Sequence, residues 1–124
     1  MGGPKPYPGR RLLTATLATA SAVLFAGPAL TFLRAGTSID PIHPHRASTL
    51  LTTGFYQHSR NPIYVADVLA VAAHAAWLGR PIGWLGVPAL VAALSPQIRA
   101  EEAVLRQKFG QAYDDYLARV RRWL

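Results

Sequence analysis

Four charged residues lie within or beside long apolar stretches of the chain: Arg60, Asp67, Glu101 and Glu102. A charged group costs roughly 2.5 to 3.5 kcal/mol at the centre of a bilayer and less near its edge, so such residues face protein or ligand. A guanidinium binds carboxylate or phosphate, and a carboxylate binds ammonium or hydroxyl groups or accepts a proton. These four residues are therefore the first candidates for a functional site.

The sequence around Arg60 has the features of a helix start. Asn61 is a favourable N-cap residue, and proline, here Pro62, is well tolerated at the first helical position. Free backbone N–H groups and the helix dipole at such an end attract carboxylate or phosphate, and Arg60 would add donors. The structural alternative is a capped helix start beside an arginine that extends toward the membrane surface.

The acidic candidates also have structural interpretations. Glu102 lies four residues before Arg106, so these two side chains could form a helical ion pair. Asp67 could pair with Arg60 or His74 instead of contacting a substrate. The spacing alone leaves these alternatives open.

The composition favours a membrane protein. The 124 residues are 51% hydrophobic and 15% charged, which is apolar for a small soluble domain. The net charge of +7 suits an anionic membrane surface, an anionic ligand or nucleic acid. The absence of cysteine excludes a disulfide scaffold, a cysteine nucleophile, a thiolate zinc site and an iron–sulfur cluster.

Three runs with few or no charges predict membrane-spanning helices. Residues 12–33 would form roughly 33 Å of helix at 1.5 Å per residue. Residues 63–79 and 81–98 are joined by so short a turn that they predict an antiparallel hairpin. The sequence thus predicts an all-α integral membrane protein with about three transmembrane helices. The first run also resembles a signal peptide with a cleavage site at residues 20–22, and this alternative stays open.

The C-terminal residues 99–124 predict one amphipathic helix. Apolar residues recur there every three, four or seven positions, and Lys and Arg fill the opposite face. Such a helix would lie on anionic headgroups with Trp123 as an aromatic anchor. Because the basic residues lie at membrane boundaries, we expect no nucleic-acid binding.

Basic residues also predict the orientation. They are concentrated in the loop 34–62 and in residues 99–124, which places both segments in the cytoplasm. Lys5, Arg10 and Arg11 precede the first span and conflict with this orientation, as though a further spanning helix were missing. The histidines His43, His45, His58 and His74 show no zinc-binding spacing, so no metal site is predicted.

Several short motifs follow one another in a characteristic order. They are LTTGFY at residues 51–56, RNPIY at 60–64, the hydrophobic hairpin, Glu-Glu at 101–102, FGxxYxxY at 109–116 and the terminal RVRRWL. In this order they resemble the bacterial branch of the isoprenylcysteine carboxyl methyltransferase superfamily, to which phospholipid methyltransferases are related. The resemblance covers roughly residues 34–124.

The resemblance implies a multi-pass enzyme of the cell membrane that binds S-adenosylmethionine at the cytoplasmic face. Its acceptor would be a lipid or lipophilic small molecule with a carboxylate, amine or hydroxyl group. Arg60 or Arg46 would attract an acceptor carboxylate, and Asp67, Glu101 or a loop histidine would serve as base for an amine or hydroxyl acceptor. The residues implied to surround the cofactor are Asn61, Pro62, Tyr64, Glu101, Glu102, Phe109, Tyr113 and Tyr116.

The chain departs from the family pattern in three places. Asn61 replaces the histidine of the animal enzymes, and Asp67 interrupts a usually apolar stretch. The resemblance also implies a further spanning helix before residue 34, whereas the sequence predicts only one there. A late start, a natural short form or assembly into homo-oligomers would account for the missing helix. Two other functions stay open: a membrane reductase that uses a nicotinamide cofactor, and a non-catalytic membrane module with the same fold.

Overall fold

The computed structural model describes Pro4, residues 6–35 and residues 54–124, and 83% of these residues are helical. Within these ranges the chain forms no strand, and the predicted all-α class is confirmed. The α-helices are α1 (Arg10–Ala35), α2 (Pro62–Leu78), α3 (Gly86–Phe109) and α4 (Gln111–Arg119), and shorter 3₁₀ helices cover Gly54–Gln57 and Pro81–Leu85. Predictions that concern Lys5 or residues 36–53, including Arg46, His43 and His45, lie outside the described residues.

Helix α1 carries large apolar side chains on its exposed surface. The exposed fractions of Leu12 and Leu33 are 75% and 64%. A helix that is apolar all round is stable when lipid or protein covers it, and the segment Arg10–Thr31 is long and apolar enough to cross a bilayer. The first predicted span therefore has the length and composition that a membrane helix needs.

Helices α1 and α2 pack side by side in opposite directions. The guanidinium of Arg10 lies 3.8 Å from the ring centroid of Trp77, near the end of α2. Further along α1, the hydroxyl of Ser21 donates to the carbonyl of Ala66 at 2.6 Å, near the start of α2. Ser21 lies in the predicted cleavage site, so its contact with α2 favours the spanning helix over the signal peptide.

A close approach between α1 and the segment before α2 requires glycine at position 27. The ring of Phe55 lies against Gly27, and a Cβ atom added at this position would overlap it. Glycine has no Cβ, so the 3₁₀ helix Gly54–Gln57 can pack directly on α1.

Helices α2 and α3 form the predicted antiparallel hairpin. Helix α2 ends at Gly79, and a Cβ added at Gly86 would lie 3.1 Å from Val71, which shows how closely the returning chain approaches α2. The segment Pro81–Phe109 is long and apolar enough to span a bilayer. Helix α2 has 17 residues and is shorter than the other two segments, so its predicted role as a third span stays a prediction.

The predicted single amphipathic helix over residues 99–124 is wrong. Helix α3 continues without a break from the apolar stretch to Phe109, because the charged residues that follow Ile98 are good helix formers. It ends at Gly110, whose φ of 56° lies in the left-handed region that glycine adopts easily. Helix α4 ends at Arg119, and Val120 has an extended backbone.

An apolar cluster joins the C-terminal part of the chain to the segment before α2. Tyr56, Tyr113, Tyr116 and Val120 are buried together, and we call these four residues the aromatic cluster. Leu105, Phe109 and Leu117 pack against it. The cluster fixes α4 and the end of the chain beside the start of α2.

Candidate functional site

The start of α2 is held by the end of the chain. Pro62 is the first helical residue, as predicted, but the side chain of Asn61 forms no cap. Its Nδ2 donates instead to the carbonyl of Arg122 at 2.9 Å, and its backbone N–H donates to the Ser59 hydroxyl at 3.0 Å. Asn61 therefore occupies the predicted N-cap position, but its side chain does not cap the helix, because a tertiary hydrogen bond uses it.

Residues 120–124, which we call the C-terminal segment, run beside this helix start. The N–H of Arg60 donates to the carbonyl of Arg121 at 2.9 Å. The buried hydroxyl of Tyr116 donates to the carbonyl of Tyr56 at 2.7 Å. Burial raises the pKa of Tyr116, so its hydroxyl stays protonated as a donor in neutral solution. These bonds attach the C-terminal segment and α4 to the turn that precedes α2.

Glu102 lies between two arginines. Its Oε2 is 3.1 Å from Nη1 of Arg60 and accepts from Nε of Arg122 at 3.0 Å, while its Oε1 accepts from Nη2 of Arg122 at 2.9 Å. The side chains of Arg60 and Glu102 are only 13% and 18% exposed, so this ion pair is shielded from solvent. The carboxylate of Glu102 raises the pKa of Arg122 through their hydrogen bonds.

The local ion pair between Glu102 and Arg106 is not formed. Arg106 contacts Asp114 on α4 instead, with 2.9 Å between Nε and Oδ1. Both of these side chains are well exposed, whereas Glu102 is largely buried. The two arginines near Glu102 reach it from distant parts of the sequence, and this tertiary arrangement displaces the helical pair.

Glu101 has a different set of partners. The hydroxyl of Tyr64 on α2 donates to its Oε1, and Nε2 of Gln97 donates to the same oxygen at 3.0 Å. No hydrogen bond to its second oxygen, Oε2, occurs among the residues that the structure describes. Glu101 is thus fixed through one oxygen and keeps the other for a further partner.

One polar cluster therefore forms where the start of α2, the middle of α3 and the C-terminal segment meet. It contains Arg60, Tyr64, Gln97, Glu101, Glu102 and Arg122. The Nε of Arg60 is buried and has no hydrogen-bond acceptor among the described residues. An unused guanidinium donor and an unused carboxylate oxygen in one cluster can bind a ligand that carries both an anionic and a cationic or hydroxyl group.

The predicted aromatic residues do not all line this polar cluster. Tyr113 and Tyr116 are each 2% exposed and belong to the aromatic cluster, and Phe109 packs against it at partial burial. Burial raises the pKa of Tyr113, and the nearby Arg60 partly offsets this effect. Tyr64 is the predicted aromatic residue that bonds directly to an acidic residue of the cluster.

Asp67 lies in a separate groove between α1 and α2. The groove has a volume of about 380 Å³, and its lining is mostly alanine with Ser21, Phe25 and Asp67. Asp67 forms no hydrogen bond or ion pair within the described residues, so neither Arg60 nor His74 is its partner. The structure therefore places the two predicted catalytic residues, Arg60 and Asp67, in different sites.

Sequence analysis missed two residues of the polar cluster. Gln97 precedes Glu101 by four residues and shares its helix face, a spacing that could have revealed it. Arg122 reaches Glu102 across twenty positions and has no such local signal. His58 and His74 are both exposed and lie on different elements.

The described residues thus form an all-helical fold with two segments long and apolar enough to span a membrane, and a cluster of polar side chains forms a candidate binding site. The chain matches the sequence model of the phospholipid methyltransferase family over residues 11–112, and it belongs to that family. This family is part of the isoprenylcysteine carboxyl methyltransferase-like superfamily, so the resemblance is confirmed. Membership implies methyltransferase activity on lipid-like substrates.

Comparison with individual proteins adds one relative. An uncharacterised protein of Haemophilus influenzae is 40% identical over 63 residues, which are 50% of this chain and 100% of that protein. No solved structure matches the chain.

Proposed function

We propose that the protein transfers the methyl group of S-adenosylmethionine to a lipophilic acceptor at the membrane. Family membership supports methyl transfer to a lipid-like molecule. The observation that carries the choice of cofactor is the pair of unused groups in the polar cluster, the buried Nε of Arg60 and Oε2 of Glu101. S-adenosylmethionine has an amino-acid end with one carboxylate and one ammonium group, and ribose hydroxyls.

The described residues fit this cofactor. Arg60, aided by the start of α2, would hold the carboxylate, and Glu101 would hold the ammonium group or a ribose hydroxyl. Both oxygens of Glu102 are already bonded to arginines, so Glu102 is not proposed as a direct partner of the cofactor. Asn61 and Pro62 would contribute through the backbone geometry of the helix start.

The aromatic residues would contribute unequally. Tyr64 and the partly buried Phe109 are the candidates for contact with the adenine ring and the sulfonium group, through stacking and cation–π interaction. Tyr113 and Tyr116 are buried in the aromatic cluster and would support the site from behind. Their proposed role is to hold α4 and the C-terminal segment against the start of α2.

The groove that contains Asp67 is the proposed position of the acceptor. Its apolar lining suits a hydrocarbon chain, and it opens between the two helices. The bound cofactor would supply a methyl group that is already activated, so the residues have mainly to align the acceptor and exclude water. An amine or hydroxyl acceptor would lose its proton to Asp67, whereas an ionised carboxylate would need no base.

The orientation is proposed from the charges. The polar cluster and the C-terminal segment would face the cytoplasm, where S-adenosylmethionine is available, and the hairpin tip at Arg80 would lie on the opposite side. Association into homo-oligomers stays a prediction from the small number of spans.

Titration calorimetry of the detergent-purified protein tests the cofactor proposal. The titrants are S-adenosylmethionine, its demethylated product S-adenosylhomocysteine, and a nicotinamide dinucleotide. Glu101→Gln is the test variant, and Asp115→Asn is the matched control, because Asp115 is an exposed carboxylate of α4 that bonds to Gln111. We expect wild type and the control to bind the first two compounds and Glu101→Gln to bind them at least tenfold more weakly.

Two results would argue against this function. Binding of the nicotinamide dinucleotide alone would favour a reductase, and no binding of any titrant would favour a non-catalytic membrane module. Equal affinities of Glu101→Gln and wild type for S-adenosylhomocysteine would remove Glu101 from the site.

A further inference from the structure

The contacts of Glu102 are divided unequally between its two arginines. Arg122 forms two hydrogen bonds, one to each carboxylate oxygen, whereas Arg60 approaches Oε2 alone through Nη1. Paired bonds of a guanidinium to a carboxylate are the stronger arrangement. Arg122 is therefore the main partner of Glu102, and Arg60 is the secondary one.

This division leaves part of Arg60 unused. Its Nε is buried and donates to no acceptor in the part of the chain that the structure describes, although a carboxylate lies beside the same guanidinium. A buried donor without an acceptor costs about 1 to 3 kcal/mol. Without Arg122, Glu102 would be free to bind Arg60 through both oxygens, and Nε of Arg60 is a natural donor for such a pair.

The C-terminal segment holds Arg122 where it can compete for Glu102. The carbonyl of Arg122 accepts from Asn61, and the carbonyl of Arg121 accepts from the N–H of Arg60. Val120 anchors the segment in the aromatic cluster. The backbone around Arg122 is thus attached to the same helix start that carries Arg60.

We propose that Arg122 is a positioning residue for Arg60: it occupies Glu102 and so leaves Nε of Arg60 available to an anionic group of the ligand. This inference rests on the proposed function, in which that group is the carboxylate of S-adenosylmethionine. It assigns the end of the chain a part in ligand affinity through a residue that need not touch the ligand.

Calorimetric titration with S-adenosylhomocysteine tests the inference with four proteins: wild type, Arg122→Gln, the double variant Arg122→Gln/Glu102→Gln, and Arg121→Gln. Arg121→Gln is the matched control, because it removes the same charge from the same segment while its exposed side chain forms no hydrogen bond or ion pair with another described residue. We expect Arg122→Gln to weaken binding about tenfold. The double variant should recover most of this loss, since Glu102 can then no longer capture Arg60 as a charged partner.

A merely structural role of Arg122 gives a different pattern. Removing Glu102 as well would then leave binding as weak as in the single variant, and that result would overturn the inference. Equal affinities of Arg122→Gln and Arg121→Gln would also overturn it. If Arg122→Gln fails to fold, Arg122→Lys replaces it as the test variant. Arg122→Lys keeps the charge but loses the paired bonds, and we expect it to weaken binding about threefold. An unchanged affinity of Arg122→Lys would contradict the inference.

A second readout separates this inference from the proposed function. The Nε–H proton of Arg60 can be observed by nuclear magnetic resonance in ¹⁵N-arginine-labelled protein without ligand and assigned with Arg60→Lys. We expect a downfield shift of this proton in Arg122→Gln, because it gains a charge-assisted bond to Glu102, and no shift in Arg121→Gln. If wild type binds no S-adenosylhomocysteine, the cofactor proposal fails, and the inference about Arg122 then depends on the shift of the Arg60 proton alone. A downfield shift in Arg122→Gln would support the positioning role of Arg122, and its absence would overturn that role.

Discussion

The hydrogen bond between Tyr116 and the carbonyl of Tyr56 offers a sharp test of how the site is held together. Tyr116→Phe keeps the buried ring and removes only the hydroxyl, which donates across 2.7 Å to Tyr56 and lies 3.4 Å from the carbonyl of Ser59. These two carbonyls belong to the turn before α2, so the variant removes a direct link between α4 and the helix start that carries Arg60.

The expected magnitude follows from burial. Tyr116 is 2% exposed, and both acceptor residues are buried, so water replaces the lost donor poorly. A buried polar group left without its partner costs about 1 to 3 kcal/mol, and we expect the free energy of unfolding to fall by about 1 to 2 kcal/mol. Tyr113→Phe is the comparison variant, because Tyr113 is equally buried but its hydroxyl interacts with the side chain of Arg60 and, within the described residues, donates to no backbone carbonyl. It should cost less than about 1 kcal/mol.

Reversible denaturation in mixed micelles, followed by circular dichroism, measures both variants against wild type. A change below about 0.5 kcal/mol for Tyr116→Phe would be typical of an uninvolved surface position and would refute the argument. Equal losses for the two tyrosine variants would also refute it, since only Tyr116 donates to the backbone carbonyls of the turn.

Three further predictions use the same denaturation assay. Burial raises the pKa of each tyrosine of the aromatic cluster above the value of about 10 in an unfolded chain. The contribution of these tyrosines to stability is therefore complete below pH 10 and is lost as the pH rises beyond it. An unchanged free energy of unfolding up to pH 12 would contradict this prediction. Gly27→Ala should destabilise the protein by about 1 to 3 kcal/mol, because the added Cβ meets the ring of Phe55. The double variant Gly27→Ala/Phe55→Ala should lose less stability than the sum of the losses of the two single variants. Equality of the double-variant loss with that sum would exclude the contact. Arg106→Ala breaks an exposed ion pair to Asp114 and should change the stability by less than about 1 kcal/mol, so a larger loss would show that this pair is more important than its exposure indicates.

Features that depend on neighbouring residues were predictable from the sequence. The uncharged runs predict helices because a bilayer accepts few charges, and α1 and the hairpin of α2 and α3 follow that pattern. The short connection around Arg80 predicts their antiparallel arrangement. Pro62 begins α2 as predicted, because the preference of proline for this position is local.

The end of α3 shows where the charge pattern misled. The apolar run stops at Ile98, and the change in hydropathy at that point predicts a boundary between two helices. Helix formation does not depend on hydropathy alone, so α3 continues to the glycine that can end it. The sequence contained this signal in Gly110, but the amphipathic spacing on both sides of it suggested a continuous helix.

The polar cluster shows a second limit. Spacing favours a pair between Glu102 and Arg106, whereas the structure brings Arg60 from earlier in the chain and Arg122 from later in the chain to Glu102. Local spacing gives no information on which of several cations reaches a buried carboxylate, because that depends on how α4 folds back. The family resemblance predicts both Glu101 and Glu102 as site residues. The structure distinguishes them, because Oε2 of Glu101 accepts no hydrogen bond within the described residues, whereas both oxygens of Glu102 are bonded to arginines.

The most direct test of the proposed function is the transfer of labelled methyl groups into lipid. The protein is reconstituted into vesicles that contain, in turn, an aminolipid, a fatty acid or a lipid alcohol, and it is incubated with methyl-labelled S-adenosylmethionine before extraction with organic solvent. We expect label in the lipid phase for at least one acceptor with wild type and Asp115→Asn, and a loss of at least tenfold with Glu101→Gln. No labelled lipid from wild type with any of the three acceptors, or equal labelling by Glu101→Gln, would contradict the proposed function.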